Sequence, residues 1–229
     1  MQKKSALRKM MENRDIRTWG RKIRKTNLAF WLYRLGILSH DMIYGPDYYK
    51  NMDRESALKD AEHFADVIIS GYSPERVIEF GCGTGRLLYP YHRRGISVKG
   101  LELSTFAKEI SKLPDSRLES HDLTKPYSAS ETYDIALCIE VVEHLPPSAS
   151  DIIVSSISDS APVAIITSAR PGQGGTHHVN EQPFEYWIEK FETKNMIYNE
   201  ERAKYMREEL ELKDLTWISD NIMIFENSQ

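Results

Sequence analysis

The stretch that most constrains this chain is residues 77–88, which read Val-Ile-Glu-Phe-Gly-Cys-Gly-Thr-Gly-Arg-Leu-Leu. Residues 77–80 form the apolar run of a buried strand, and a helical pattern begins after the glycines. The three glycines are spaced two residues apart: Gly81, Gly83 and Gly85. Because glycine has no Cβ, a strand–turn–helix junction of this kind lets backbone N–H groups approach a ligand closely. The sequence therefore predicts a ligand-binding loop after this strand.

Two common nucleotide-binding patterns do not fit this loop. The dinucleotide fingerprint G-x-G-x-x-G requires a third glycine where this chain has Arg86. The phosphate-binding P-loop requires G-K-[ST] after its glycines, and the segment from Gly85 onward does not contain it. The pattern that remains is E-x-G-x-G-x-G, beginning at Glu79.

Strand-like and helix-like segments alternate through the rest of the chain. Strands are predicted at 77–80, 97–102, 117–120, 134–139, 163–167 and 195–199, with one or two more within 215–225. Helices are predicted at 53–70 with Asp53 as N-cap, and at 84–94, 104–113, 148–158, 183–192 and 200–213. This alternation predicts an α/β fold with a doubly wound, mostly parallel sheet of the seven-stranded type. We assign residues 41–229 to that domain and residues 1–40 to an N-terminal helical extension.

The N-terminal extension differs in charge from the rest of the chain. Residues 1–25 carry ten of the 30 Lys and Arg residues, whereas the formal net charge of the whole chain is -4. An aromatic, apolar helix candidate follows at 26–38. The extension is either a solvated basic face leading into a helix that docks on the domain, or a surface for a membrane, an anionic partner or RNA. The acidic remainder does not favour nucleic acid as a partner, and the basic arm weakens that objection.

Cysteine content and hydropathy indicate the compartment. Cys82 and Cys138 are the only cysteines, so no disulfide framework can be read and a reducing, cytoplasmic location is expected. No apolar run reaches the roughly 18 residues of a membrane span. The apolar patch at 27–38 is short, is broken by Arg34 and lacks a small-residue cleavage site, so we expect no secretory signal.

Acidic side chains stand where the predicted strands end. In a doubly wound sheet the ligand binds at the carboxyl ends of the strands. Glu102 closes the second predicted strand, about twenty residues after the glycine loop, where a carboxylate can accept both hydrogen bonds of a ribose diol. Asp122 closes the third predicted strand, where it either contacts the ligand or acts as an ordinary turn cap. Glu79 lies inside the first strand, so its buried charge requires a partner.

The fourth predicted strand ends in the run Cys-Ile-Glu-Val-Val-Glu-His-Leu-Pro-Pro, residues 138–147. Together with E-x-G-x-G-x-G, Glu102 and Asp122, this run resembles the class I S-adenosylmethionine (SAM) dependent methyltransferases, such as the ubiquinone-biosynthesis O-methyltransferase. The resemblance covers residues 75–170 well and the rest of the C-terminal half weakly. It implies SAM as the cofactor, and methyl transfer to an oxygen, or a nitrogen, of a small-molecule acceptor.

The resemblance also implies a set of cofactor-binding residues. Asp122 would accept from the adenine amino group, Leu123 would pack on the adenine, and Glu79 would receive the methionine ammonium or nearby N–H groups. A tyrosine of the segment before the core would cover the cofactor and substrate, the candidates being Tyr44, Tyr48 and Tyr49. The full set of expected cofactor-binding residues is Tyr49, Glu79, Gly81, Cys82, Gly83, Gly85, Glu102, Leu103, Asp122, Leu123, Ile139 and Glu140.

The run after the fourth strand allows two interpretations. In the first, Glu140 and His144 line the cofactor cleft, Glu143 begins or caps the next helix, and no metal is bound. In the second, these three residues join His177 or His178 in binding a divalent metal, a spacing that resembles the small-RNA 3′-terminal 2′-O-methyltransferases. We take the first as the expectation and keep a metal-dependent RNA 2′-O-methyltransferase as the alternative.

The segment His177–Trp187 follows the fifth predicted strand, where class I methyltransferases place substrate contacts. Its histidines and Asn180 offer hydrogen-bonding groups beside the aromatic residues Tyr186 and Trp187. A hydroxyl acceptor would need a general base, for which the candidates are His144, His177 and His178. A third hypothesis is a SAM-binding adaptor without catalysis that acts through its basic arm.

Overall fold

The computed structural model describes residues 40–50, 52–175 and 177–228. Backbone contacts divide the chain into two units, Met1–Gly45 and Pro46–Gln229. In the first unit a short helix, α1 (His40–Ile43), is described. The predicted extension, residues 1–40, lies outside the described residues except for His40, so its helices and partners stay predictions. None of the helices in the described part is both long enough and apolar enough to cross a membrane.

The second unit is built on a seven-stranded sheet in the order β3-β2-β1-β4-β5-β7-β6 among the described residues. The strands are β1 (Arg76–Phe80), β2 (Ser97–Leu101), β3 (Leu118–Glu119), β4 (Ile135–Cys138), β5 (Val163–Thr167), β6 (Met196–Tyr198) and β7 (Ile222–Asn227). Neighbouring strands from β3 to β5 pair in parallel, whereas β7 is antiparallel to both β5 and β6. The predicted doubly wound, mostly parallel sheet is confirmed.

Helices cover both faces of this sheet. They are α2 (Pro46–Lys50), α3 (Glu55–Tyr72), α4 (Tyr89–Arg93), α5 (Thr105–Glu109), α6 (Ser150–Ser158), α7 (Phe184–Glu192), α8 (Glu200–Glu209) and α9 (Thr216–Asn221). Because successive side chains of a strand point to opposite faces, Val77 packs in one hydrophobic core with Phe64 of α3, and Ile78 packs in the other with Trp187 of α7. Residues 77–80 of β1 are therefore buried on both sides of the sheet, and Glu79 is the one charged side chain among them.

Several predicted elements differ in extent or type from the observed ones. The helix predicted at 53–70 begins at Glu55, and Asp53 does not cap it, because its carboxylate accepts a 2.7 Å hydrogen bond from the Thr84 hydroxyl instead. The helix predicted at 84–94 shortens to α4, since turns continue through residues 84–88. Within 215–225 one of the one or two predicted strands is observed, β7, and the residues before it form α9, whose buried residues Ile218 and Asn221 stand at helical spacing.

The glycine loop after β1 adopts a backbone that other residues rarely accept. The φ angles of Gly81, Gly83 and Gly85 are 79°, 55° and 74°. A Cβ on Gly81 would lie 2.6 Å from Cγ2 of Val141, and one on Gly85 would lie 2.5 Å from Cδ1 of Leu113. Glycine is required at these two positions both for backbone conformation and for space.

The loss of stability caused by a side chain in this glycine loop can be tested against a matched control. Gly81→Ala should lower the free energy of unfolding by about 1–3 kcal/mol more than Gly95→Ala. The φ of Gly95 is 80°, but a Cβ added there would meet nothing within 4 Å, so its substitution carries the backbone cost alone. Urea unfolding followed by circular dichroism measures both variants. Equal losses would show that Val141 moves aside freely and that packing does not require glycine at position 81.

Candidate functional site

The carboxyl ends of the parallel strands bring the predicted site residues to one edge of the sheet. The loops that follow β1, β2, β4 and β5 meet there, which is where ligands bind in doubly wound folds. Hydrogen bonds both between these loops and within them determine the geometry of the site.

Glu102 connects the loop after β2 to the glycine loop. It follows β2 directly and is buried, and its carboxylate accepts hydrogen bonds from the backbone N–H of Gly83 at 2.9 Å and of Ser104 at 2.7 Å. Leu103, the next residue, is half-buried. The carboxylate therefore stands beside the loop that a ligand would contact, and ribose binding by Glu102 stays a prediction.

Glu79 and Arg86 are two titratable side chains near the glycine loop that interact electrostatically. Glu79 is buried in β1, and its Oε2 has no hydrogen-bond partner in the described part of the chain. Burial raises the pKa of Glu79 to about 8, and nearby Arg86 opposes that shift. The Arg86 guanidinium donates to the carbonyl of Met52, and burial lowers the pKa of Arg86. Sequence reasoning treated Arg86 only as a mismatch to a dinucleotide fingerprint and missed its hydrogen bond to Met52 and its electrostatic effect on Glu79.

Asp122 lies three residues beyond β3, which is shorter than predicted. Its Oδ1 accepts from the backbone N–H of Thr124 at 3.0 Å and from the Thr124 hydroxyl at 2.7 Å, so the turn-cap role is observed. Leu123 is partly buried against the core that contains Phe80. Adenine recognition by Asp122 and Leu123 stays a prediction.

The two tyrosines of α2 occupy different environments. Tyr49, the predicted cofactor contact, is buried, and its ring meets that of Tyr48 edge to face at 5.1 Å. The Tyr48 phenol lies close to charged groups of the site, and burial followed by the negative charges of Glu143 and Glu102 raises the pKa of Tyr48. The Tyr48 phenol therefore lies within electrostatic range of the charged groups of the site.

The turn after β4 holds two glutamates in a strained, largely buried arrangement. Glu140 has a φ of 58°, and its backbone N–H donates to the Thr167 hydroxyl at 2.7 Å, next to the buried Ile139. Residues Val142–His144 then form one 3-10 turn. Burial raises the pKa of both Glu140 and Glu143. Non-glycine residues with positive φ often mark functional sites, and Glu140 and His177 are two of the four in the described part.

The loop after β5 is hydrogen-bonded to the turn after β4. The carbonyl oxygen of Glu143 accepts from the backbone N–H of Val179 at 2.9 Å and of Asn180 at 3.1 Å. The buried Asn180 amide also donates to the Ser150 hydroxyl at 3.1 Å. These bonds fix the position of the histidines that precede Val179.

The three predicted histidines do not play equivalent parts. The rings of His144 and His178 lie 5.0 Å apart, edge to face. One ligand atom each from Glu143, His144 and His178 lies within 4.8 Å of the other two. His177 contributes its carbonyl oxygen, 3.4 Å from Nδ1 of His144, and burial lowers the pKa of the His177 side chain. The structure thus brings His144 and His178 together and leaves the His177 ring outside this group.

Two further residues shape the loop after β5, and sequence reasoning missed both. Glu181 accepts from the backbone N–H groups of Gly172 and Gly174, each at 2.9 Å, and lies 3.1 Å from Nδ1 of His178. A Cβ on Gly175 would lie 2.2 Å from the His178 ring. Glu181 follows His178 by three residues, and this spacing is a weak signal of a contact between the two side chains. Nothing in the sequence linked Glu181 to the glycines.

Two predicted side chains are part of the core rather than of a pocket wall. Trp187 is fully buried and its indole N–H donates to the Ser168 hydroxyl at 2.8 Å, so this residue of the segment 177–187 packs in the core. The Cys82 thiol is buried, and it would collide with a Cβ on Gly100, at 2.5 Å. Burial raises the pKa of the Cys82 thiol, so its side chain is a packing group.

Comparison with known proteins gives a family match across most of the second unit. A family model described as a methyltransferase domain matches residues 49–214, which is more than half of the chain. The ubiquinone biosynthesis O-methyltransferase of Nitrosomonas europaea is 36% identical over 95 residues, covering 38% of this chain and 40% of that protein. The chain therefore spans about two fifths of the length of this curated relative.

Solved structures agree on the fold. DesVI of Streptomyces venezuelae superposes with a TM-score of 0.61 at 13% identity, covering 83% of this chain and 99% of that one. The sugar N-methyltransferase KedS8 of a Streptoalloteichus species superposes with a TM-score of 0.56 at 12% identity, covering 80% and 92%. At these identities the likeness shows a shared fold.

The buried carboxyl group of Glu79 predicts a specific pH dependence of stability. Its pKa of about 8 lies above the 4.5 of an ordinary glutamate, so its contribution to stability is full below pH 4.5 and is lost as pH rises toward 8. Relative to Glu79→Gln, the wild-type protein should lose up to about 1.4 kcal/mol of unfolding free energy per pH unit across that window. Urea unfolding of both proteins at pH 5.5, 6.5 and 7.5 measures the difference. A difference that does not change with pH would mean that Glu79 is ionised in the folded protein.

Proposed function

Because the chain belongs to the methyltransferase-domain family, we propose that it transfers the methyl group of SAM to an oxygen of a small-molecule acceptor. The observation that carries this proposal is the loop after β1, where three glycines with positive φ stand at the carboxyl edge of the sheet. The Glu102 carboxylate fixes that loop through the Gly83 amide. A cofactor with a ribose and an amino-acid end fits such a loop better than a dinucleotide does.

The residues at this edge suit the parts of SAM. Glu102 would accept from the ribose hydroxyls, and Leu123 would pack on the adenine beside Asp122. Glu79, buried with an unpartnered oxygen, would meet the positive ammonium of the methionine part. When bound, SAM supplies an electrophilic methyl group on a positively charged sulfur.

The chain's own contribution to the reaction is mainly positioning. Methyl transfer is an in-line displacement with a neutral leaving thioether, so the enzyme must hold the acceptor atom collinear with the S–CH₃ bond. The Glu143 carbonyl, bonded to Val179 and Asn180, keeps the loop after β5 in a defined place for that purpose. For a hydroxyl acceptor a histidine would remove the proton, the candidates being His144, His177 and His178.

Oxygen is proposed over nitrogen on two grounds. The relative that matches at 36% identity over 95 residues is named an O-methyltransferase, whereas the neighbour named a sugar N-methyltransferase shares only the fold with this chain. An amine acceptor that is already deprotonated would need no base, so the part-buried histidines at this edge of the sheet favour oxygen.

Charge weighs against RNA as the acceptor. Residues 1–39 hold 11 of the 30 basic and 2 of the 34 acidic residues, which leaves 19 basic against 32 acidic residues in the rest of the chain. Phosphate contacts usually dominate nucleic-acid affinity, and a domain this acidic repels a polyanion. The RNA alternative would therefore depend on the basic segment 1–25.

Methyl transfer is tested directly with SAM that carries a deuterated methyl group. The purified full chain is incubated with this SAM and separate pools of phenols and catechols, sugars, hydroxy acids, amines and short RNAs, and products are identified by mass spectrometry. The proposal predicts a labelled methyl ether from a small-molecule pool. Labelled RNA would favour the alternative, and SAM binding without product in any pool would favour a non-catalytic adaptor.

Glu102 provides the sharpest test of cofactor placement. Glu102→Ala should weaken SAM binding roughly ten- to a hundredfold, because charged hydrogen bonds contribute about 1.5–3 kcal/mol and 1.4 kcal/mol corresponds to tenfold. The control is Glu119→Ala, which removes another strand-end glutamate whose observed partner is Lys99. Isothermal titration calorimetry measures both affinities, with a thermal melt to verify folding. Unchanged affinity in a folded Glu102→Ala variant would contradict the placement.

A further inference from the structure

Arg86 places a largely buried positive charge beside the glycine loop. It follows Gly85 directly, and its guanidinium donates a hydrogen bond to the carbonyl of Met52. Its Nε is buried and has no hydrogen-bond partner in the described part of the chain. A guanidinium has five N–H donors and stays charged in proteins, and burying it with unpaired donors is costly. Arg86 therefore retains donors that a ligand can use.

No carboxylate among residues 40–50, 52–175 and 177–228 lies within ion-pair distance of this guanidinium. The negative charges of Asp53, Glu79 and Asp214 act on Arg86 from a greater distance, and burial lowers the pKa of Arg86 in spite of them. Buried cations are normally paired with an anion. The geometry therefore indicates that an anionic ligand completes the surroundings of Arg86.

Two of these three acidic residues are engaged by other partners. The Asp53 carboxylate accepts a hydrogen bond from the Thr84 hydroxyl at 2.7 Å. The Asp214 carboxylate accepts from the Arg54 guanidinium at 2.9 Å and from the Ser56 hydroxyl at 3.0 Å. These hydrogen bonds orient both carboxylates toward groups other than Arg86.

Glu79, the third acidic residue, also lacks a partner and is complementary to Arg86 in charge. Its Oε2 is buried without a hydrogen-bond partner in the part of the chain that the structure describes. The two side chains influence each other electrostatically, yet they do not form an ion pair. An acidic and a basic group left unpaired beside one loop fit a zwitterion, which presents one positive and one negative charge. The amino-acid end of SAM is such a group.

The guanidinium lies near the edge of the sheet where the parallel strands end. Burial and the negative charges of Glu143 and Glu102 raise the pKa of the Tyr48 phenol, and the positive charge of Arg86 opposes that rise. These two glutamates follow β4 and β2, whereas Arg86 follows β1. All three charged groups are thus within electrostatic range of one phenol, at the edge where ligands bind in such sheets.

We propose that Arg86 binds the carboxylate of the methionine part of SAM, while Glu79 meets the ammonium on the same carbon. This assignment rests on the proposed function, since it specifies how the cofactor is held. The planar fork of a guanidinium matches the two oxygens of a carboxylate. A carboxylate on the methyl acceptor would offer Arg86 the same chemistry, but by itself it supplies no ammonium for Glu79.

The assignment predicts which cofactor analogues the site selects. Removal of the carboxylate leaves an analogue with one more net positive charge. The carboxyl-rich edge formed by Glu79, Glu140 and Glu143 would by itself favour that more cationic analogue. A preference for the carboxylated form therefore identifies a local cation, because the general charge of the edge acts in the opposite direction.

Carboxylate binding is tested on the purified full chain by isothermal titration calorimetry with S-adenosylhomocysteine and its decarboxylated analogue, with no acceptor present. S-adenosylhomocysteine carries the same ammonium and carboxylate as SAM and has no methyl group to transfer. The wild type should bind it roughly ten- to a hundredfold more tightly than the analogue, as expected for a charge-assisted hydrogen bond. Arg86→Gln should bring the two affinities close together, and Arg86→Lys should retain only part of the difference.

Two control variants distinguish carboxylate binding from a general loss of structure. Glu102→Ala should weaken both ligands by the same factor, because the ribose is common to both. Arg93→Gln removes an exposed arginine of α4 that lies 3.1 Å from Glu62, and this variant should bind both ligands as the wild type does. Thermal melts verify that each variant folds.

The ratio of the two affinities decides the proposal. Equal affinity of the wild type for both ligands would overturn it and would leave Arg86 available to a carboxylate of the acceptor. An unchanged ratio in Arg86→Gln would also overturn it and would assign Arg86 to holding Met52 in place. Where binding to Arg86→Gln is too weak to measure, an undiminished ratio in Arg86→Lys would overturn it in the same way. In these cases the wild type still binds S-adenosylhomocysteine and the cofactor assignment stands, whereas binding of neither ligand by the wild type would refute the proposed function as well.

Discussion

The Glu102 carboxylate is the interaction on which the site depends most. It is buried at the end of β2 and accepts hydrogen bonds from Gly83 in one loop and Ser104 in the next. Loops with positive φ at three glycines have no regular hydrogen-bond ladder of their own, so an anionic acceptor between them supplies order. The same side chain that would bind a ribose thus also holds the loop in a shape that admits one.

Similar hydrogen bonds order the loop after β5, on the other side of the site. The Glu143 carbonyl fixes the loop after β5 through Val179 and Asn180, and the Glu181 carboxylate fixes the glycines before His178. The carboxylates of Glu102 and Glu181 therefore each order one of the loops that a bound molecule would touch. Carboxyl groups are concentrated here, and burial raises the pKa of Glu79, Glu140 and Glu143, so a cationic cofactor bound beside them would favour their ionised forms.

Much of this architecture is predictable from sequence because it depends on local patterns. The apolar run 77–80, the glycines and the strand-end Glu102 occupy the places that their spacing predicts. Prediction failed where a distant residue competed for a side chain, since Asp53 bonds to Thr84 rather than capping α3. The loop after β5 is harder to predict, because Glu181 and Gly175 acquire their roles only when this irregular loop folds back on itself. Contacts of that kind follow no sequence periodicity.

SAM binding at the edge of the sheet beside β1 is the step on which the proposed activity rests. The decisive experiment is isothermal titration of the purified full chain with SAM, with S-adenosylhomocysteine and with NAD as a dinucleotide of similar size. We predict one-to-one binding of the first two ligands and no binding of NAD. Absence of SAM binding, with or without added Mn²⁺, would refute the assignment of this edge as a SAM site.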